Sequence, residues 1–427
     1  MQEIKRQLKQ VIPESALTPL LPIYHWLQAF AAQAMYGFPA RGMQVIGVTG
    51  TNGKTTTAAL IGSILETSGL KVGISSTAFY KIGQKVTVNE SNMTVTNPFK
   101  VAKLLKEMKS AGVDWVVLEV TSHALVQHRT LGIPIHTAVM TNLTQDHLDY
   151  HGTMENYAAA KGRLFAKRPR NIVLNADDEW YKFFNEYEAG ESKVSYGTSP
   201  EADSRLTRAE MHLNGTELTM ILREQKVKAK THLLGKFNAY NSLAAAATAE
   251  VLGVDREAIA NGLAAVNNVA GRMDVIQSPQ GFKVIVDYAH TADALKNVLE
   301  TLKGLSKGRI IAVFGATGDR DKSKRPHMGR VVSDMADIAI VTDDDPYTEN
   351  PLRIREEVIS GMDGGKADVQ EIGDRRGAIT KAIELARRSD VILVAGLGHQ
   401  NYRVVGDHKE KWNDRQVVEE LLVTAKK

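Results

Sequence analysis

Residues 45–57, Val45-Ile46-Gly47-Val48-Thr49-Gly50-Thr51-Asn52-Gly53-Lys54-Thr55-Thr56-Thr57, decide how the rest of the chain is read. A short apolar run breaks into a glycine turn, and a helical pattern then continues to Thr67, so the stretch reads as strand, loop, helix. Glycines at 50 and 53 let backbone N–H groups close around phosphate oxygens, and the start of a helix adds partial positive charge there. Lys54 can reach terminal phosphates from this position, and the Thr55 hydroxyl suits Mg²⁺. The spacing is shorter than in the usual phosphate loop, whose first glycine would fall on Val48. A glycine turn before a helix is ordinary punctuation on its own. Lysine, threonine and the strand–helix setting make Gly50, Thr51, Asn52, Gly53, Lys54, Thr55 and Thr56 an ATP-binding loop, which says nothing of the reaction.

Similar units follow. Trp115–Leu118, Ala138–Met140 and Asn171–Leu174 read as buried parallel strands, each ending in polar residues. Between about 192 and 230 the pattern shortens and alternates, as in Glu217-Leu218-Thr219-Met220-Ile221-Leu222, which predicts an antiparallel hairpin. An alanine-rich helix is expected over 241–251. After Gly271-Arg272 a second α/β series begins, with strands expected at 283–286, 310–314, 338–341 and 391–394 and helices at 292–302 and 375–388. The predicted class is α/β throughout: a central phosphate-loop ATPase-like domain with a mostly parallel sheet over 44–268, then a Rossmann-like domain over 269–427, both behind a short N-terminal segment, 1–43.

Composition narrows the function classes. With 53 basic against 49 acidic residues the formal charge is +4, close to balance, so nucleic acid is not expected as a partner. There are no cysteines, which excludes disulfides, thiolate metal sites and a thiol nucleophile. No small-residue cleavage site follows a short apolar stretch, so no signal peptide is expected, and the expected compartment is the cytoplasm. From Ser15 to Ala40 no side chain is charged, and the run is long enough for a membrane span. Pro19, Pro22, His25, Gln28 and Gln33 argue against that, and the favoured expectation is an apolar helix docked on the protein.

Two polar clusters follow predicted strands: Glu119-Val120-Thr121-Ser122-His123-Ala124-Leu125, and 141–152, Thr-Asn-Leu-Thr-Gln-Asp-His-Leu-Asp-Tyr-His-Gly. An α/β sheet presents its ligands outside the carboxyl ends of its strands, so both clusters fall beside the phosphate loop. Glu119, His147, Asp149 and His151 invite a Mg²⁺ reading there; elsewhere such histidines would be ordinary packing or surface residues.

With these motifs in order, the stretch from about Val45 to Glu410 resembles the Mur ligase family, and within it the MurE type. The matching runs include GTNGKTTT from Gly50, EVTSHAL from Glu119, TNLTQDHLDYHGTMENY from Thr141, AAKGRLF ending at Phe165, and GKFNAYNSLAA from Gly235. GRMD from Gly271, DYAHTADAL from Asp287, GDRDKSKRP from Gly318, DDPYTENP from Asp344 and GLGHQNY from Gly396 complete the series. The resemblance implies that ATP phosphorylates a substrate carboxylate and that an amino acid's amine attacks the acyl phosphate. The chemistry is sound in itself, because a carboxylate acylates poorly and a phosphate is a good leaving group.

By the same resemblance, Lys54, Lys161, His147 and Arg272 are catalytic. Thr55 and Glu119 hold one Mg²⁺, and His147 with a carbamylated Lys161 serves a second. Asn238, Asn241, Asp287 and His290 join the nucleotide site, although the asparagines also suit a helix N-cap. Thr96, Asn97, Thr121, Gln127 and Arg129 are expected to contact the muramoyl-dipeptide, and Arg320, Asp344, Asp345, Pro346, Tyr347, Gly396 and Gln400 the incoming amino acid. Two departures stand out: enzymes that add diaminopimelate carry arginine where this chain has Tyr347 and glutamate where it has Gln400, which leaves the amino acid open. A third is that the phosphate loop is reached by residue 50, so the residues before it are too few for the family's UDP-binding N-terminal domain. A monomer is expected. Rival readings are a Mur-fold ligase with another γ-glutamyl acceptor, lipid-linked or otherwise not UDP-bound, and a non-catalytic nucleotide-dependent switch.

Overall fold

The computed structural model describes residues 21–89, 97–212 and 215–424. Its larger sheet is built from β1 (Gln44–Thr49), β2 (Val72–Ser75), β3 (Phe79–Ile82), β4 (Lys85–Val88), β5 (Trp115–Glu119), β6 (Ile135–Met140), β7 (Asn171–Asn175), β8 (Ser192–Gly197), β9 (Ser204–His212), β10 (Gly215–Leu222) and β11 (Gln225–Thr231). Their order is β11-β10-β9-β8-β7-β6-β1-β5-β2-β3-β4. From β8 through β2 the ladder is parallel. These strands are apolar on both faces, Val45, Ile46 and Val48 among them, because helices cover both sides. The antiparallel β9–β10–β11 meander forms one edge, and the β2–β3–β4 meander, which the sequence pattern does not announce, forms the other.

One face of this sheet carries the helices Lys54–Thr67 and Lys236–Val251. The second has an alanine core, Ala244 to Ala247, that lets it lie close. The helix Arg256–Ala265 crosses nearby, where a Cβ on Gly262 would stand 2.4 Å from the Ile64 Cα, so only glycine fits. The opposite face carries Pro98–Ser110 and Met154–Phe165, which bury Val101, Leu105, Leu164 and Phe165. β1 sits between β5 and β6, so the loop after β1 and the ends of β5 and β6 meet at one edge. This is the place where an α/β sheet binds ligands.

The smaller sheet contains β12 (Asp274–Gln277), β13 (Lys283–Asp287), β14 (Ile310–Phe314), β15 (Ile338–Val341), β16 (Asp368–Glu371) and β17 (Val391–Ala395), in the order β12-β13-β17-β14-β15-β16. All pairs but β12–β13 are parallel. A small hairpin, β18 (Tyr402–Val405) and β19 (His408–Lys411), follows.

In the described part of the uncharged N-terminal run, Leu21–Met35 is helical, and no helix among the described residues is long and apolar enough to cross a membrane. Its docking is narrower than expected. Ala29, Ala32 and Gln33 are buried, whereas Leu21, Ile23, Trp26, Leu27, Phe30 and Met35 remain exposed.

Beneath the smaller sheet's carboxyl edge lies a fully buried ion pair. Arg375 Nε and Nη2 donate to the Asp414 carboxylate at 2.8 and 2.7 Å, and Nη2 also donates to the Ala395 carbonyl at 2.9 Å. Removing one partner strands a charge in the interior. Asp414→Ala is expected to cost roughly 3–5 kcal/mol in urea unfolding; a loss below about 1 kcal/mol would show that the guanidinium finds other partners.

Candidate active site

The loop between β1 and the helix Lys54–Thr67 turns through two glycines in positive-φ backbone, Gly50 at 150° and Gly53 at 81°. Packing reinforces conformation: a Cβ on Gly50 would meet the Thr141 hydroxyl at 1.8 Å, and one on Gly53 the Asn241 side chain at 2.2 Å. The loop is braced from β6, since Thr51 N–H donates to the Asn142 carbonyl at 2.8 Å and Asn52 N–H to Asn142 Oδ1 at 2.9 Å.

Lys54 and Lys161 reach into this loop from opposite sides. Lys54 Nζ donates to the Thr51 carbonyl at 2.6 Å, and Lys161 Nζ to the Gly50 carbonyl at 2.8 Å. Burial lowers the pKa of Lys54, and Arg272 adds to the effect against the pull of Glu119 and Asp146. Burial lowers Lys161 far more, with Lys54 the next cause. Lys161 also lies over the Tyr157 ring at 4.4 Å. It is buried on the inner face of the Met154–Phe165 helix.

Glu119 ends β5 and is held by three donors, Thr55 Oγ1, Thr77 Oγ1 and Thr77 N–H, all at 2.8 Å. A hydroxyl beside a buried carboxylate is an oxygen-only donor set of the kind Mg²⁺ prefers, so Thr55 and Glu119 fit that ion. The wider cluster does not converge. Asp149 is exposed, His151 is turned to the Ser122 hydroxyl at 2.9 Å, and Glu119, His147, Asp149 and His151 form no common ligand group among the described residues. His147, in positive-φ backbone, instead pairs with Asp146, Nε2 to Oδ2 at 3.4 Å.

Asp146 is a site residue that motif reading passed over. It is buried, it accepts from the His147 N–H at 2.9 Å, and it faces Lys324 Nζ at 3.5 Å from the helix Lys324–Met335. Despite its burial, Lys324 and His147 hold its carboxyl below the usual range. His147 is brought down to about 3 by burial, and His123 and His151 to about 4, so this is a nest of neutral imidazoles. The Asp146–Lys324 pair also ties the two sheets together, as does Asn52 Nδ2 to Asp293 Oδ2 at 3.0 Å.

Arg272 enters from the junction of the two units. Its guanidinium lies 4.6 Å over the Tyr288 ring, Nη2 is 3.5 Å from Thr55 Oγ1, and Nε is buried without a hydrogen-bond partner. A cavity of about 560 Å³ opens beside it, lined by Asn52, Gly53, Thr56, Asn241, Arg272 and Asp287 together with Asp177, Lys236, Tyr240 and Asp293. Asn241 donates to Asn238 Oδ1 at 3.0 Å, and Asn238 donates to the Leu234 carbonyl at 2.7 Å. Gly235, not Asn238, caps that helix, so the N-cap reading of the asparagines is wrong. Asp287 is spent on backbone, accepting from Met273 and Ala289 N–H at 2.7 and 2.8 Å. His290 Nδ1 faces the Tyr288 carbonyl at 2.8 Å.

Of the expected acceptor residues, Thr96 lies outside the described residues. Asn97 and Thr121 are the N-caps of Pro98–Ser110 and Ser122–Val126. Gln127 Oε1 accepts from Arg129 Nε at 3.1 Å, and Gln127 Nε2 donates to the Tyr150 hydroxyl at 3.3 Å.

At the edge of the smaller sheet, Gly396 passes Asp344 so closely that a Cβ would meet its Oδ2 at 2.3 Å. Asp345 accepts from the Val404 N–H at 2.7 Å. Pro346 is buried, Tyr347 adopts φ 49°, and Arg320 lies 5.0 Å over the Tyr347 ring. Gln400 Oε1 is buried with no partner.

Residues 48–249 match the family described as Mur ligase middle domain, and residues 271–398 match the Mur ligase, glutamate ligase domain. The chain belongs to the Mur ligase family of ATP-dependent amide-bond ligases, and its high-identity relatives are of the MurE type. The UDP-N-acetylmuramoyl-L-alanyl-D-glutamate–2,6-diaminopimelate ligase of Clostridium botulinum is 40% identical over 396 residues, covering 92% of this chain and 81% of that one. The ligase of the same name from Halalkalibacterium halodurans is 41% identical over 399 residues, with the same coverage. A solved structure of a ligase of that name is 33% identical with a TM-score of 0.62, over 90% of this chain and 79% of that one. Folylpolyglutamate synthase from Mycobacterium tuberculosis shares the fold at 18% identity and a TM-score of 0.70, over 87% and 92%.

Burial and the neighbouring Asp344 push Asp345 up to about 7. The folded protein therefore keeps a proton that the unfolded chain releases near about 3.9. Stability contributed by this proton is present at low pH and lost as pH rises toward 7. Asp345→Asn is expected to flatten that decline in urea titrations; an unchanged slope would contradict the assignment.

Proposed function

We propose that this ligase transfers the terminal phosphate of ATP to a carboxylate of a muramoyl-dipeptide and joins the resulting acyl group to an amino acid. The observation that carries the reading is the convergence of Lys54, Lys161 and Arg272 on one glycine loop beside the Thr55–Glu119 pair. Lys54 and Arg272 bring positive charge to a glycine loop at a helix start, which fits a triphosphate.

In this reading residues 44–268 bind nucleotide and acceptor, and residues 269–427 bind the amino acid. Lys54 and Arg272 brace the transferred phosphoryl group. Asn241 and Asp287 line the nucleotide cavity, Asn238 holds the Asn241 side chain, and His290 joins the nucleotide site. Thr55 and Glu119 would hold Mg²⁺, with His147 and a carbamylated Lys161 serving a second ion; when bound, these ions neutralise phosphate charge. Carbamylation needs a neutral amine, which the depressed pKa of Lys161 supplies. Gln127 and Arg129, beside Asn97 and Thr121, orient the acceptor with its carboxylate toward the phosphate. The amine enters over Asp344, Asp345 and Gly396, under Arg320 and Tyr347, and meets Gln400. Asp146 and Lys324 hold the two units at the distance the attack requires. The protein acts as a cytoplasmic monomer.

Phosphate release in the presence of UDP-MurNAc-L-Ala-D-Glu and a panel of amino acids tests the reading. Release should require acceptor and amine together, and the panel shows which amine Tyr347 and Gln400 admit. Lys54→Met should lower kcat by at least about a thousandfold. ATP binding with no turnover on any amine would favour a switch over a ligase. For Lys161, the intact mass should carry a carboxyl increment that acid removes and Lys161→Ala lacks; plain lysine in bicarbonate at neutral pH would refute carbamylation.

A further inference from the structure

The helix Leu21–Met35 has two apolar sides. Ala29, Ala32 and the Gln33 side chain face the protein, and the two alanines let the helix pack closely on the helix Pro98–Ser110. Ile23, Trp26, Leu27, Phe30 and Ala34 recur at three- and four-residue intervals on another face, and all are exposed. Ile23 is 58% exposed, Leu27 54% and Phe30 45%, and the Trp26 and Phe30 rings stack at 5.4 Å on the surface. A continuous stripe of large apolar side chains is uncommon on a surface without a partner.

The charge beside it identifies the partner. The neighbouring helix exposes Lys100, Lys103, Lys106 and Lys109 in one row, with Glu107 the one acid of that helix. The row borders the apolar helix: Lys106 Nζ lies 5.9 Å from the Tyr36 ring, and Lys109 donates to the Arg41 carbonyl at 2.8 Å. No side chain from Ser15 to Ala40 is charged, so nothing on the stripe opposes insertion into an apolar layer. A second copy docked on the same face would set one lysine row against its duplicate, with no matching acidic row.

We propose that this face binds an anionic lipid surface, with the Ile23–Phe30 stripe sunk into the headgroup boundary and the lysine row on lipid phosphates. The fifteen described residues make about 22 Å of helix, short of the roughly 30 Å hydrocarbon layer, so this stretch lies on the membrane rather than crossing it. The aromatic and aliphatic side chains supply depth, and the lysines supply selectivity for negative charge.

Flotation of the full chain with phosphatidylcholine vesicles, with and without phosphatidylglycerol, tests this. The protein should float with the anionic vesicles, and about tenfold less with neutral ones or in high salt. Trp26→Ser with Phe30→Ser should abolish flotation, and Lys103→Glu with Lys106→Glu should reduce it at least about tenfold. Both pairs should keep the nucleotide-induced rise in unfolding temperature of the parent, which shows that they fold. Failure of the parent chain to float, or flotation unaffected by the serine pair, overturns the proposal. So does a concentration-dependent dimer in light scattering that the serine pair converts to monomer.

Discussion

Two buried lysines that share one glycine loop constrain everything around them. Burial depresses both, Lys54 adds to the effect on Lys161 and Arg272 to that on Lys54, and Arg272 Nε has no partner. A buried cation without a matching anion is costly, and here Glu119 is already claimed by three hydrogen bonds from Thr55 and Thr77. The folded protein thus holds Lys54 and Arg272 beside a glycine loop, where a polyphosphate would pair with them. The surrounding architecture is what keeps it in place: β1 between β5 and β6 sets the loop, Gly262 lets the helices close beneath it, and the alanine helix brings Asn241 against Gly53.

The second constraint is that the site is shared. Arg272 reaches Thr55, Asn52 reaches Asp293, and Asp146 faces Lys324, so three polar contacts couple the two sheets around the phosphate loop. A group bound between them touches both units at once. Chemistry that requires a phosphate, a carboxylate and an amine in line gains from such an arrangement, because positioning supplies much of the rate.

Much of this was legible in the sequence. Apolar runs ending in polar clusters gave the parallel strands and their functional edge, and the Gly-Lys-Thr turn gave the loop. The β2–β3–β4 edge was not legible, because its strands are four residues long and carry no sustained alternation. Motif reading gathered Glu119, His147, Asp149 and His151 into one group, yet their spacing along two loops does not fix direction, and Asp149 faces outward. Asp146 and Lys324 were missed for a related reason, since their pairing spans 178 residues and two units. An uncharged run is consistent with a docked helix, but Leu21–Met35 docks on one side alone, leaving its large apolar side chains exposed.

The central claim is that phosphate passes to the acceptor carboxylate before the amine attacks. An acceptor labelled with ¹⁸O in both oxygens of that carboxylate tests it directly. One labelled oxygen should leave with the inorganic phosphate in each turnover, and the amide product should retain the other. Unlabelled phosphate alongside normal product formation would contradict the account.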